Sequence, residues 1–422
     1  MSYRIAQTRA LEILDSRGRP TLEVSVQLLD GTIGSAGVPS GASTGTREAV
    51  ELRDGDAARY RGDGVTRAVN HVNGEINDAL RDRDWQSLAD VDRALIALDG
   101  TETKQRLGAN AIVGVSMPAA RAMAAADQVP LYRWLAGDQR PRMPVPHFNV
   151  INGGAHAQIP LEFQEFMLAP LGAPTFAEAL RAGAEIYQSL RGLLHDRGES
   201  TGLGDEGGFA PYMTTPEAVL DLLVEAISSA GYTPGPRGVA IALDPASSEF
   251  RDADGRYRYS TGERLTSDEM IDRYEALVDH YPVCLIEDGL AEDDWDGWTR
   301  LTARLGQRVQ LVGDDIFVTN SAIIRDAIER SVGNSALIKL NQIGTVTETL
   351  DAIAVCRTAG YAQMVSHRSG ETADSFIADL TVASGCGRIK SGAPARGERI
   401  AKYNRLLAIE AELDGVPYGL LT

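Results

Sequence analysis

Three acids and three basic residues close short apolar runs in the second half of the chain. Asp244 follows the run 239–243, Glu287 the run 283–286 and Asp314 the run 309–313. Lys339, His367 and Lys390 then close the next three runs, at 336–338, 363–366 and 388–389. Hard oxygen donors without thiolate or imidazole suit Mg²⁺ or Mn²⁺ rather than zinc. Any one such acid is an ordinary solvated strand end. Three on successive runs would repel one another unless a divalent cation neutralised them. A lysine whose stem is buried either pairs or loses its proton, so Lys339, near a second lysine and a cation, could serve as a neutral base. For either lysine alone, a snorkelling surface residue is the plainer reading.

Other residues could complete such a site. His156, in Gly153-Gly154-Ala155-His156, and His367 sit beside small-residue turns at expected strand ends. Arg368 and Ser369 precede Gly370 and offer a guanidinium fork, a hydroxyl and accessible backbone amides, a grip suited to phosphate. Glu165 and Glu206 end the quieter strands early in the second half; spacing alone does not separate general acids from ordinary helix-proximal carboxylates. The string Gly202-Leu203-Gly204-Asp205-Glu206-Gly207 matches a dinucleotide fingerprint by letter. A helix at 175–196 stands where a strand is required, and two acids would repel a pyrophosphate, so that reading fails. The segment Ser40-Gly41-Ala42-Ser43-Thr44-Gly45 lacks the lysine of a P-loop and reads as a turn or a mobile lid.

The elements that must position these groups are short buried strands separated by amphipathic segments, the pattern of parallel strands joined by helices. In a barrel of such units, residues just past the strand ends converge on one face. The first part of the chain differs. Leu22, Val24, Val26 and Leu28 alternate with polar residues, Asp30-Gly31 signals a hairpin, and the segment 33–38 returns antiparallel. Helical patterns follow near 48–60, 65–80 and 109–126, which makes this part α+β. The proline-rich stretch 140–146 resists helix and sheet and marks the boundary. The expected organisation is an α/β chain: an N-terminal α+β capping domain over 1–138, then a (β/α)₈ barrel over 139–422.

With 422 residues and a formal charge of −18, the chain is suited neither to nucleic acid nor to an anionic membrane surface. No apolar run is long enough to span a bilayer, and the start lacks an apolar leader core. Cys284, Cys356 and Cys386 form no CxxC pair and read as reduced thiols, an expectation of a cytoplasmic protein.

Taken together, long segments of the chain resemble the enolase family. They include Asp15-Ser16-Arg17-Gly18, Val38-Pro39-Ser40-Gly41-Ala42-Ser43-Thr44-Gly45, Gln164-Glu165-Phe166-Met167 and Gly204-Asp205-Glu206-Gly207-Gly208. Val312-Gly313-Asp314-Asp315, Lys339-Leu340-Asn341-Gln342, Ser366-His367-Arg368-Ser369-Gly370 and Lys390-Ser391-Gly392-Ala393-Pro394 continue the match. The resemblance implies a barrel that starts in ββαα order, two Mg²⁺ per site, and glycolytic interconversion of 2-phosphoglycerate with phosphoenolpyruvate. It implies Lys339 as the base at C2, and Glu206 assisted by Glu165 as the acid for the departing hydroxyl. Asp244, Glu287 and Asp314 would hold the first Mg²⁺ and Ser43 would contribute to the second. Gln164, Lys339, Arg368, Ser369 and Lys390 would contact a small phosphorylated substrate, with His156 and His367 completing the pocket. It also implies a homo-oligomer, dimer or octamer. Three places depart from the family pattern: Arg19 before Pro20, Asp63, and the loop Ala157-Gln158-Ile159-Pro160-Leu161, apolar and proline-stiffened where small polar residues are usual. That loop keeps a second reading open, a paralogue acting on a phosphonate or carboxyphosphonate analogue. A non-catalytic binding or structural role is the third.

Overall fold

The structure is a computed structural model, and it describes residues 2–42, 45–157, 159–413 and 415–420. Three antiparallel strands open the chain: β1 (Tyr3–Leu14), β2 (Pro20–Leu28) and β3 (Ile33–Gly37). The alternation read in the sequence is the burial pattern of β2, whose Leu22, Val24, Val26 and Leu28 all face the core. Helices α1 (Thr66–His71) and α2 (Asn77–Leu80) are joined by a π-helical turn at Val72–Ile76. After the short β4 (Asp84–Trp85), which pairs with the start of β1, come α3 (Leu88–Asp99), α4 (Ala109–Ala126) and α5 (Leu131–Ala136). Helix α4 lies against β2 and β3, and a Cβ at Gly34 would fall 2.1 Å from the Pro118 carbonyl, so only glycine permits this approach.

The helix expected near 48–60 does not form. Its backbone groups bond across the structure instead: Ala49 N–H donates to Gln342 (2.8 Å), Val50 N–H to Thr103 (2.8 Å) and Asp54 N–H to Gly64 (2.8 Å). Of the apolar residues that suggested a helical stripe, Leu52 alone is buried. Tertiary pairing has overridden local periodicity.

The second half is a closed eight-stranded barrel. It begins with β5 (Val145–Asn152), whose second residue is Pro146, and β6 (Glu165–Ala169), followed by helices α6 (Phe176–Asp196) and α7 (Pro216–Ser229). Next come β7 (Ala240–Asp244) and a small hairpin of β8 (Tyr257–Arg258) and β9 (Arg264–Leu265). The remaining chain alternates regularly: α8 (Ser267–His280), β10 (Val283–Glu287), α9 (Trp295–Leu305), β11 (Gln310–Gly313), α10 (Ser321–Glu329) and β12 (Ser335–Ile338). It ends with α11 (Leu340–Ile343), α12 (Val346–Ala359), β13 (Ala362–Ser366), α13 (Phe376–Ser384), β14 (Arg388–Lys390) and α14 (Gly397–Glu412). Strand β6 is antiparallel to both neighbours, β5 and β7, and every other barrel pairing is parallel. The start is therefore ββαα. Hydroxyl and amide side chains begin the helices, since Thr175, Thr215, Thr266, Asn320 and Thr345 each accept from a first-turn N–H.

The barrel interior carries an apolar layer of Met167, Ala242, Leu285, Val312, Leu337 and Met364, one residue from each of six strands. Above it lies the carboxylate face. Below it lies a more polar floor. Among the described residues no helix is long and apolar enough to cross a membrane.

The two halves are joined through buried polar contacts. Asp92 on α3 accepts from the Thr347 N–H (3.0 Å) and its hydroxyl at the start of α12. Burial raises its pKa to about 6 against the hydrogen bonds that favour ionisation. An acid whose folded pKa lies above its unfolded value stabilises the fold below the unfolded pKa and loses that benefit as pH rises through the folded one. The window here is between about 3.8 and about 6. Asp92→Asn should stabilise the protein at pH 8 by up to roughly 3 kcal/mol, the shift converted at ~1.4 kcal/mol per unit. Denaturant unfolding at pH 8 and pH 5 should show the gain shrinking at the lower pH; a constant difference would contradict this account.

Candidate functional site

Lys390 organises the carboxylate face. As the last residue of β14 it points along the barrel axis, with Nζ 2.7 Å from Glu287, 3.0 Å from Asp244 and 3.1 Å from Glu165. Burial alone would lower its pKa, but Asp244, Glu165 and Glu287 drive it well above the ordinary lysine value. Asp244 and Glu287 end β7 and β10, as expected from the sequence. Glu165 does not end a strand: it opens β6, and because β6 runs antiparallel its first residue reaches the same face.

Glu206 is not on a strand either. It lies in the turn between α6 and α7, in a segment that bonds to β5 through Phe209 N–H to Val150 (2.9 Å) and Asn152 N–H to Phe209 (2.8 Å). Glycine density permits this docking, since a Cβ at Gly204 would sit 2.5 Å from the Asn152 amide oxygen. The letter match to a nucleotide fingerprint is thus a backbone-packing loop.

His156, in the turn after β5, stands 3.7 Å from Glu165 and 3.8 Å from Glu206. His367 Nε2 stands 3.1 Å from Glu206 Oε2, and the Asn149 amide donates to the same oxygen at 3.0 Å. Behind His367 lies Arg399 of α14, fully buried, whose guanidinium donates to His367 Nδ1 (2.5 Å) and to the Arg368 and Ser369 carbonyls (2.6 Å each). A guanidinium only donates, so Nδ1 accepts and the proton of the neutral ring sits on Nε2, facing Glu206. Burial lowers the His367 pKa to about 4, which keeps that ring neutral at neutral pH.

The two glutamates are pushed apart. Burial and the charge of Glu206 hold Glu165 well above the carboxylate range, despite Lys390. Burial also opposes ionisation of Glu206, yet His367, His156 and Arg399 bring it well below that range. The split favours the proton on Glu165 and the charge on Glu206. Pairs separated in this way mark acid–base assignments.

Asp314 follows β11 and Lys339 follows β12, and their side chains form a direct ion pair. Burial would lower the Lys339 pKa, but Asp314 outweighs it and the lysine is held protonated. Asp314 also accepts from the Gln342 amide at 2.8 Å. Asp288, which the sequence reading missed, accepts the Asp314 N–H (2.8 Å) and the Asp315 N–H (3.0 Å) and so fixes the acid's backbone.

Among the described residues two groups have ligand atoms close enough to share one ion: His156, Glu165 and Glu206, and Asp288, Asp314 and Asp315. The expected trio of Asp244, Glu287 and Asp314 is not one of these; Lys390 and Lys339 lie between its members. The donor chemistry nonetheless fits a hard cation. Glu287 Oε2 and Glu165 Oε2 are buried without a partner, and burial beside Asp244 raises the Glu287 pKa well above the usual range. A cation there would relieve both penalties. Ser43, expected at a second ion, lies outside the described residues.

The far side of the site belongs to both domains. Ser40 and Gly370 exchange backbone hydrogen bonds at 2.8 and 2.9 Å, and the Asn341 amide donates to the Pro39 carbonyl at 3.1 Å. Between them a cavity of about 270 Å³ is lined by Gly41, Gly45, Glu48, Glu51, Asn341 and Arg368. Arg368 pairs there with Glu48 (2.9 and 3.2 Å) and with the Asn341 side chain (3.1 Å). Ser369 is buried and receives the Arg17 guanidinium at 3.4 Å. Gln164 donates its N–H to the Asp244 carbonyl (2.9 Å), and its side-chain oxygen is buried without a partner. In the apolar loop, Leu161 is buried, Ile159 packs on the core, and the Ser260 hydroxyl donates to the Pro160 carbonyl at 3.1 Å.

Family comparison agrees with this geometry. Residues 140–418 match the family model described as the enolase C-terminal TIM barrel domain, and residues 5–135 match that of the enolase N-terminal domain. The chain belongs to the enolase family. Glu48, Asn149, Asp288 and Arg399 are the residues that strand-end reasoning did not reach. Glu48 and Asp288 sit in loops, Asn149 lies within β5, and Arg399 is on the last helix, where nothing local distinguishes it from a surface arginine.

Glu48 is the anion that an incoming phosphate would meet at Arg368, and its Oε1 also accepts the Gly45 N–H at 3.2 Å. Glu48→Gln should tighten binding of inorganic phosphate about tenfold, the scale of one charged hydrogen bond. Calorimetric titration of phosphate into both proteins measures it. Equal affinities would show that Glu48 does not compete for the guanidinium.

Proposed function

We propose that this enolase-family enzyme dehydrates 2-phosphoglycerate to phosphoenolpyruvate, reversibly and with Mg²⁺, as a step of glycolysis and gluconeogenesis. The observation that carries the reading is the arrangement of one lysine and one split glutamate pair about Lys390. Lys339 pairs with Asp314, His156 stands near both Glu165 and Glu206, His367 faces Glu206, and Lys390 bridges to Glu165.

In this reading the phosphate lies against Arg368 and Ser369 at the cavity between the domains. The carboxylate lies near Lys390, and Gln164 orients it. Asp244, Glu287 and Asp314 would hold Mg²⁺, whose charge would favour the doubly negative carboxylate developing in the transition state. With Asp314 engaged as a ligand, burial would favour the neutral form of Lys339, and the amine takes the proton from C2. The electron pair left at C2 is delocalised into the carboxylate. It returns to form the C2–C3 double bond as the C3–oxygen bond breaks. Glu206, with Glu165 as the adjacent proton store, delivers the proton that lets the hydroxyl leave as water. His156 and His367 hold the two carboxyl groups in place. Lys390 stays charged throughout.

Lys339→Ala should abolish both turnover and exchange of the C2 proton with deuterated solvent. Glu206→Gln should reduce product formation by at least about 10²-fold, the usual scale of a lost acid–base group, while leaving measurable exchange. Equal loss of both signals in the two variants would refute the division of roles. Chelation should abolish activity and added Mg²⁺ restore it. Asp314→Ala should move the Mg²⁺ titration midpoint upward, and an unchanged midpoint would remove Asp314 from the ligand set.

A further inference from the structure

The opposite end of the barrel holds a buried cation with no counter-ion among the described residues. Two residues toward the barrel floor from the apolar layer, on the same side of their strands, come Ala240, Gln310, Ser335 and Ala362, with Ala169 from the antiparallel β6. Arg388 joins them, two residues before Lys390 on β14. Arg388 is only 8% exposed, and its guanidinium has no hydrogen-bond, ion-pair or ring partner among the described residues. The ionisable groups that act on it or respond to it are the thiols Cys284 and Cys386 and the imidazole His147. No carboxylate is among them. Cys284 packs against the apolar layer, which places this encounter inside the barrel.

Neither neighbouring group with a shifted pKa supplies a negative charge. Burial pushes the Cys284 thiol up to about 12 and the His147 imidazole down to about 3, so both are neutral at neutral pH. Buried charge is costly unless it is paired. Two further polar atoms on the floor are buried without partners, Gln310 Oε1 and Ser335 Oγ. The serine hydroxyl can donate, and rotation of the Gln310 amide presents its NH₂ in place of the oxygen. Gln310, Cys284 and Ala362 are half-buried, giving access from solvent.

We propose that the barrel floor binds one small monovalent inorganic anion, of the halide class, between Arg388, Ser335 and Gln310. One negative charge balances the one guanidinium, and three donors without a nearby carboxylate suit an anion over a cation. The site lies across the apolar layer from the carboxylate face, and its role is to neutralise the floor of the fold.

Thermal unfolding of the full chain in sodium gluconate, with chloride or bromide substituted at constant ionic strength and with chelator present, tests this directly. The midpoint should rise with the logarithm of halide concentration. Arg388→Lys should keep a reduced response and Arg388→Met should lose it. Crystals soaked in bromide should show anomalous scattering within hydrogen-bond distance of Arg388. A wild-type midpoint indifferent to the exchange, or an Arg388→Met variant with the full halide response, would overturn the proposal. If Arg388→Met does not fold, the lysine variant and the bromide peak decide: absence of bromide from the floor also overturns it.

Discussion

The carboxylate face of this barrel is possible because one ammonium group, Lys390 Nζ, sits within 3.1 Å of three buried acids. Burying Glu165, Asp244 and Glu287 together would otherwise be prohibitive, since each loses its hydration and feels its neighbours through a weakly screening medium. Lys390 offsets only part of that. Glu165 and Glu287 remain strongly biased toward protonation, and each keeps an oxygen without a partner. The residual deficit is what makes this face receptive to positive charge and to a proton that can move.

A second layer of residues decides where that proton rests. Arg399 forces the His367 tautomer by donating to Nδ1, and the ring then presents Nε2–H to Glu206. Glu206 is thereby favoured as the charged member, while Glu165, near Glu206 and Lys390, is favoured as the neutral one. Asp288 does comparable work for Asp314 by accepting two consecutive backbone N–H groups. Neither Arg399 nor Asp288 is needed to explain the fold. Arg399 favours the charged form of Glu206, and Asp288 holds the backbone that carries Asp314.

The domains divide the substrate end between them. The capping domain contributes the strand-like contact at Ser40, the Arg17 guanidinium and Glu48, and the barrel contributes Arg368, Ser369 and Asn341. A carboxylate already seated on Arg368 means that an anionic ligand must exchange with an internal one. That exchange also touches Gly45, which accepts no side-chain clash there: a Cβ would lie 2.8 Å from Val318. Glu48 thus connects the Arg368 guanidinium of the barrel to the Gly45 N–H of the capping domain.

The sequence by itself determined the alternation of β2, the six strand-end residues from Asp244 to Lys390, and the helices at 109–126 and 176–196, because each is a local pattern of period or terminus. Its motifs carried the family. It misjudged 48–60, where local periodicity competed with backbone bonds to Gln342, Thr103 and Gly64 that no window can see. It placed Glu165 and Glu206 at strand ends, because strand direction and loop docking are pairing decisions made across the chain. Only the tertiary structure decided that Lys339 pairs with Asp314, that Glu165 and Glu206 are pushed in opposite directions, and that Arg388 stands buried without a counter-ion among the described residues. Those are statements about distance and dielectric surroundings, and residues far apart in sequence acquire them only when the barrel closes.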